Sequence, residues 1–159
     1  VSYIVIDSDG QLHHHTARVT AEAIRAEMPS QHFDLVRLRR EPNLFGFVDD
    51  SGHLIGLPRN PAGSCVLVAL GASPHAYCGP VVITGWSEPD ESSELRDLDP
   101  DQRYRVTQLH SSVDRVLAGD VDVLDDRWVL DSPQILAYAD WVRDSPPPVT
   151  TVIPLGGEL

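Results

Sequence analysis

The stretch NLFGFVDDSGHLIGLPRNPAGSCVLVALGASPHAYCGPVVITG, residues 43–85, decides the fold. Two apolar segments, residues 44–48 and 53–57, flank Asp49-Asp50-Ser51-Gly52, a run of turn formers ended by glycine. That pattern predicts a β-hairpin over about 44–57. Asn60 then offers a side-chain acceptor to the free amides of a helix start, and Pro61 suits the first helical position. A helix near 61–70 follows, although Gly63 and the β-branched Val66 and Val68 weaken it. Gly79-Pro80 punctuates the chain before Val81-Val82-Ile83, which reads as a strand. Residues 60–87, 28 in all, contain no formally charged side chain, which marks this part as core.

Working outward, Tyr3-Ile4-Val5-Ile6 reads as a first strand, and Asp7-Ser8-Asp9-Gly10 as a reverse turn from which residues 11–19 return as a second. Thr20 caps a helix near 20–28, stopped by Pro29. Residues 33–38 alternate well enough for a third strand that turns its arginines toward solvent or a partner. Residues 86–97, rich in Ser, Pro, Glu and Asp, read as an exposed acidic loop. Two helices follow. Asp99 and Pro100 open one near 100–118, expected to bury Tyr104, Val106, Leu109, Val113, Val116 and Leu117 and to end at Gly119. Ser132 and Pro133 open the other, near 132–144, expected to bury Ile135, Leu136, Ala139 and Val142. Successive prolines from Pro146 keep the tail extended, with 149–155 suited to an edge strand or to binding another chain.

The expected architecture is therefore one α+β domain over 1–145, a mixed, mostly antiparallel sheet packed by four helices, with a Pro-rich extended tail over 146–159. A chain of 159 residues with 42% hydrophobic content buries about two thirds of its unfolded surface in one core. The longest apolar run, 66–70, is far short of the roughly 20 residues that span a bilayer, and no basic segment precedes an apolar one at the N-terminus. Both point to a cytoplasmic protein. Cys65 and Cys78 lack zinc-like spacing and read as two reduced core thiols, with a disulfide between them as the alternative.

Charge is distributed unevenly. Residues 1–60 hold eight acids and six arginines, whereas residues 86–159 hold sixteen acids and six arginines, so the C-terminal part carries −10 of the net −12. A polyanion would approach that part against its field, which disfavours direct nucleic-acid binding and favours neutral or basic partners. The chain has no lysine, which removes Schiff-base and lysine phosphate-clamp chemistry. It also lacks a G-x-S-x-G elbow, a Walker A loop, a G-x-G-x-x-G turn and an H-E-x-x-H helix, and no cofactor is expected.

The order Asp7-Ser8-Asp9-Gly10, then Phe47-Val48-Asp49-Asp50-Ser51-Gly52-His53-Leu54-Ile55-Gly56-Leu57-Pro58-Arg59-Asn60, then Gly79-Pro80-Val81-Val82-Ile83-Thr84-Gly85 resembles an uncharacterised family of small proteins of actinobacteria, phages and plasmids, known as a domain of unknown function. The resemblance covers about residues 3–118. It implies an origin and a small α+β fold, and supplies no reaction, cofactor or catalytic residue.

One enzymatic pattern competes. Residues 3–12 resemble the D-x-D-G-T-L signature of haloacid-dehalogenase-type phosphatases, in which the first aspartate attacks phosphorus and the second is acid and base. Asp7 and Asp9 would take those roles, Thr84 the phosphate-binding threonine, and Asp125 or Asp126 the magnesium site. Gln11 in place of the signature's threonine, the missing lysine and the expected hairpin all weigh against it. His13 and His15 would share a strand face and offer two imidazoles to zinc or nickel, with His32 or His53 as third ligand if the fold brings one near, against an exposed polar strand as the plainer reading. Arg37, Arg39 and Arg40 form the basic cluster, able to contact an acidic peptide or to pair with the chain's own carboxylates. A homodimer joining that patch to the acidic half is a further expectation, sensitive to salt. Trp86, Trp128 and Trp141 lie in or near the acidic part as candidate aromatic anchors, with core packing the competing role for Trp141.

These features favour a noncatalytic accessory or interaction protein of an actinobacterial host or mobile element. It would bind a protein partner through an acidic C-terminal surface, a nucleic-acid mimic being one form of this. The alternative is a small magnesium-dependent phosphatase-like hydrolase using Asp7 and Asp9.

Overall fold

In the computed structural model, which describes residues 3–87, 94–120 and 131–145, β1 (Tyr3–Ile6) and β2 (Leu12–His15) form an antiparallel hairpin. Its turn is closed by Asp7, whose Oδ1 accepts the amides of Asp9 and Gln11, each at 3.0 Å. Gly10 sits there at φ +84°, where a side chain would cost about 1–2 kcal/mol. After β2 come α1 (Ala21–Glu27), capped by Thr20, then β3 (Phe33–Arg37) and β4 (Leu44–Asp49). They are followed by α2 (Pro61–Ala69), β5 (Val81–Ser87), β6 (Glu94–Arg96), α3 (Pro100–Leu117) and α4 (Ser132–Asp144).

The strand order is β2-β1-β5-β4-β3, with β6 pairing the end of β5, and every pairing among the described residues is antiparallel. The expected single α+β domain, with a mostly antiparallel sheet and helices near 20–28, 61–70, 100–118 and 132–144, is what the chain forms. The tail over 146–159 lies outside the described residues.

The hairpin expected over 44–57 does not form. β4 is hydrogen-bonded on one edge to β3 and on the other to β5, so no edge is left for residues 53–57. They wind into consecutive turns instead, with Ile55 donating to the Ser51 carbonyl and Leu57 to that of Gly52. Leu54 and Ile55 stand in water at the tip, 74% and 52% exposed. Part of the expected loop over 86–97 is likewise strand: Trp86 and Ser87 continue β5, and β6 pairs with them. The second strand is shorter than 11–19, because the chain leaves the sheet after His15 to bury Val19, whose amide binds Asp97 Oδ1.

Alternation along the strands makes two faces. Ile4, Ile6, Leu44, Val81 and Ile83 point to one, where α2, α3 and α4 cover them with Val66, Leu67, Leu109, Val113 and Ile135. α2 is buried nearly throughout, and its Leu67 passes so close to Gly46 that a β-carbon there would lie 2.8 Å from Cδ2. Tyr3, Val5, Phe47 and Val82 point to the other face, where the short α1 supplies Ile24.

Asn60 joins several of these parts. Fully buried, it accepts the Gly63 amide through Oδ1, capping α2, while Nδ2 donates to the carbonyls of Ile6 and Gly79. Asp99 caps α3 as expected, in a reciprocal pair with Gln102. Asp131, and not Ser132, is the cap of α4, paired in the same way with Gln134. Tyr104 is 66% exposed, contrary to expectation. It lies two residues, about 200° of helix, from both Gln102 and Val106, which with Leu109, Val113 and Val116 form the buried stripe. Leu117 and Leu136 are only partly buried.

Candidate functional site

Among the described residues of the phosphatase-like pattern, Asp7 and Thr84 do not converge. Asp7 follows the C-terminal end of β1, next to the start of β5, because Ile6 pairs with Val81 and Ile4 with Ile83. Thr84 therefore lies about four residues, roughly 13 Å, further along the sheet. It is fully buried, and its hydroxyl donates to the Gly85 carbonyl. Asp7 is already engaged: Oδ1 holds the turn, and Oδ2 lies 2.7 Å from His13 Nε2. Partial burial alone would raise its pKa, but the hydrogen bonds from His13 and from the amides of Gln11 and Asp9 leave it below the usual aspartate value. Asp9 is exposed, and Asp125 and Asp126 lie outside the described residues.

His13 and His15 do share a face, but each imidazole meets a carboxylate, His13 that of Asp7 and His15 that of Glu27 at 3.6 Å. His15 also stacks on Tyr3 at 4.7 Å. Among the described residues, no group of three or more His, Cys, Asp and Glu side chains is placed to hold a metal ion.

The three clustered arginines divide. Arg37 pairs across the sheet with Phe45, whose ring meets that of Trp86 edge-on at 4.0 Å, so Arg37 and Trp86 flank Phe45 on the face that α1 covers in part. Arg39 and Arg40 sit at the end of α2, where the Arg40 amide binds the Leu70 carbonyl and the two cations favour the negative end of the helix. Trp128 lies outside the described residues. Trp141 is 48% exposed, not packed in the core.

A site that none of these residues announced, Trp141 apart, opens between the turn after β4, the segment leading into β5 and the C-terminal end of α4. Segments 58–60 and 77–79 run antiparallel there, with the Asn60 amide bound to the Tyr77 carbonyl and the Gly79 amide to that of Pro58. This brings Arg59 beside Cys78. The resulting cleft has a volume of about 390 Å³ and is lined by Cys78, His53, Arg59, His75, Tyr77 and Trp141 among others. Cys78 Sγ lies 3.4 Å from His53 Nδ1. The guanidinium of Arg59 donates through Nη2 to the Ser145 carbonyl at the end of α4, while Nη1 is buried with no acceptor.

Burial and charge together decide what this thiol and imidazole do. Burial pushes the Cys78 thiol up, and the Arg59 cation pulls it back only in part. His53 is pushed down by desolvation, then by Arg59 and by His75. Both shifts favour the uncharged forms, so the pair rests as a neutral thiol beside a neutral imidazole instead of as a thiolate and an imidazolium. Such a thiol is a poor nucleophile, and the groups around it, donors and carboxylates alike, suit recognition. Cys65, the second cysteine, is fully buried and pushed up to about 12 by desolvation. Both cysteines are free, so the alternative disulfide is not formed.

Sequence held one faint signal of the cleft: Arg59 is the last charged side chain before the 28 uncharged residues, a cation placed at the edge of the core. His53, His75 and Cys78 carry none, because nothing in their spacing brings them together.

Fold and site thus define a small antiparallel α+β domain with a polar cleft at one end of its sheet, where Asp34, Asp49 and Asp50 line the walls beside Arg59, His53 and His75. No protein-family model matches the chain, and neither the curated proteins nor the solved structures yield a match. Among the described residues no helix is long and apolar enough to cross a membrane.

Proposed function

We propose that this protein is a noncatalytic accessory protein that binds a protein partner through its acidic C-terminal surface, with Trp141 on α4 as the aromatic anchor. The observation that carries this reading is Trp141 itself, a large ring left half in water on a helix whose outer side bears Asp140 and Asp144. It is held against Tyr138, ring to ring at 5.8 Å and 23°, so it is presented in a set orientation. Fixed aromatic rings surrounded by polar groups are what contribute most at protein interfaces. Asp101 and Asp114 are exposed on α3, but Arg115 pairs with Asp120 and Arg143 with Asp140, so it is the excess of acids over residues 86–159 as a whole that favours a basic partner. A nucleic-acid mimic occupying a basic cleft is one form of this proposal. Following the resemblance in the sequence, the setting proposed is the cytoplasm of an actinobacterial host or its mobile element. The magnesium-dependent hydrolase is the weaker reading, since the register sets Asp7 and Thr84 apart.

Capture from host extract, comparing the wild type with Trp141→Ala and with the Asp140→Asn, Asp144→Asn pair, tests this. A specific partner should be held at least about tenfold less well by Trp141→Ala and should be released by salt from both wild type and variants. A partner retained equally by wild type and Trp141→Ala would overturn it. Sedimentation of the purified protein at low and high salt separates this from self-association through Arg37, Arg39 and Arg40. Hydrolysis of p-nitrophenyl phosphate with magnesium, lost in Asp7→Asn, would replace it with the enzymatic reading.

A further inference from the structure

We propose that the cleft beneath Trp141 is a binding site for a small organic carboxylate with a planar apolar body, anchored by Arg59. The proposal shares Trp141 with the partner surface but rests on Arg59 and the cleft, and its test reads a small ligand with no partner present.

Three observations converge. The first is hydrogen-bonding capacity left unused. Arg59 engages the Ser145 carbonyl with one nitrogen and keeps the other buried without an acceptor, an unfavourable arrangement for a charged donor that an arriving acceptor relieves. The second is the field. Arg59 is the guanidinium among the lining side chains, and the bridge between its segment and that of Cys78 sets it beside the thiol within a chain of net charge −12. Asp34, Asp49 and Asp50 line the cleft as well, but Asp49 is occupied by Ser30 and Ser51, and Asp34 and Asp50 are exposed and therefore screened by water. The third is shape. A volume of about 390 Å³ lies within the size range of small-molecule sites, and Tyr77 and Trp141 supply aromatic surface beside the donors. With Nη2 held by the Ser145 carbonyl, Nη1 is left for one carboxylate oxygen, a single charge-assisted hydrogen bond that a neutral acceptor would make more weakly. The Cys78 thiol is already engaged by the Ala76 carbonyl and by His53 Nδ1, so the further donors nearby are the imidazoles of His53 and His75.

The test is a titration of the purified full chain with benzoate, and in parallel with benzamide, which has the same planar body without the charge. Histidine C2–H resonances and tryptophan fluorescence are followed. Saturable benzoate binding that shifts His53 and His75 is expected, with benzamide at least about tenfold weaker. Arg59→Gln should weaken benzoate by about ten- to a hundredfold, the value of a charged hydrogen bond. Because Arg59 also holds the end of α4, His75→Gln at an exposed position serves as the second variant, with an expected loss of a few-fold and no change in melting temperature. Equal responses to benzoate and benzamide, no saturable binding, or undiminished benzoate affinity in a folded Arg59→Gln protein would each overturn the proposal. If Arg59→Gln does not fold, unaltered benzoate affinity in His75→Gln overturns it.

Discussion

The turn after β1 and the cleft at Cys78 lie at the same end of the sheet, yet they differ in how their polar groups are used. In the turn, the Asp7 carboxylate takes two backbone amides and the His13 ring, while the buried His110 reaches from α3 to the Gly10 carbonyl at 2.7 Å. These groups satisfy one another. In the cleft, a guanidinium nitrogen lacks an acceptor, and a thiol and an imidazole are held uncharged. A cluster of charged side chains can thus be entirely structural, whereas a recognition site is marked by capacity left over after folding. Asn60 connects the two regions, since its Nδ2 holds the Ile6 carbonyl just before the turn and the Gly79 carbonyl just after Cys78.

The largest expected effect comes from cutting that connection. Asn60→Ala removes the α2 cap and leaves two buried carbonyls without their donor, for a loss of about 2–4 kcal/mol in urea unfolding. A loss under about 1 kcal/mol would show that turn and cleft stand independently of Asn60. A smaller effect reads the cleft alone. At pH 7.5, iodoacetamide should alkylate Cys78 at least about tenfold more slowly in the native protein than in urea, with Cys65 slower still. Fast native alkylation of Cys78 would mean that it is a thiolate and that the cleft is suited to chemistry.

The smallest effect reads the turn. Asp7 has a lowered pKa in the folded state, so folding gains from its ionised form above the unfolded value near 3.8, and that gain disappears as pH falls through the folded value. The stability gap between wild type and Asp7→Asn should therefore be constant near neutrality and should narrow below about pH 4, as acid unfolding would record. A gap that widens on acidification would contradict the hydrogen bonds assigned to Asp7. His53 has the same sign of dependence, because a lowered imidazole pKa favours the folded state while the ring is neutral, and this contribution is lost as pH falls below about 6.5.

Much of the fold was legible because its signals are short-range. Thr20, Asn60 and Asp99 each bind an amide three residues ahead, and Asp7 reaches amides two and four residues on, so neighbouring letters suffice to place these caps and the turn. The segment after Gly52 misleads for a physical reason: its alternation and turn signal suit a strand, but β4 had no free edge to offer. Tyr104 misleads because an aromatic ring in a helical pattern reads as buried, while its position on α3 turns it to water. At the site, Arg37 and Trp86 were legible one by one, and their meeting around Phe45 was not.

By itself, the amino-acid order determined where the helices start, where the first turn closes, which segment is core and how acidic the C-terminal part is. Each depends on composition or on contacts across a few residues. Tertiary structure alone decided which strands share an edge, that Asp7 and Thr84 stay apart, and that Arg59, Cys78, His53 and Trp141 meet around one cleft. Those outcomes depend on sheet order and on the docking of α4, which arise when distant segments compete for the same hydrogen-bonding edges and the same buried surface.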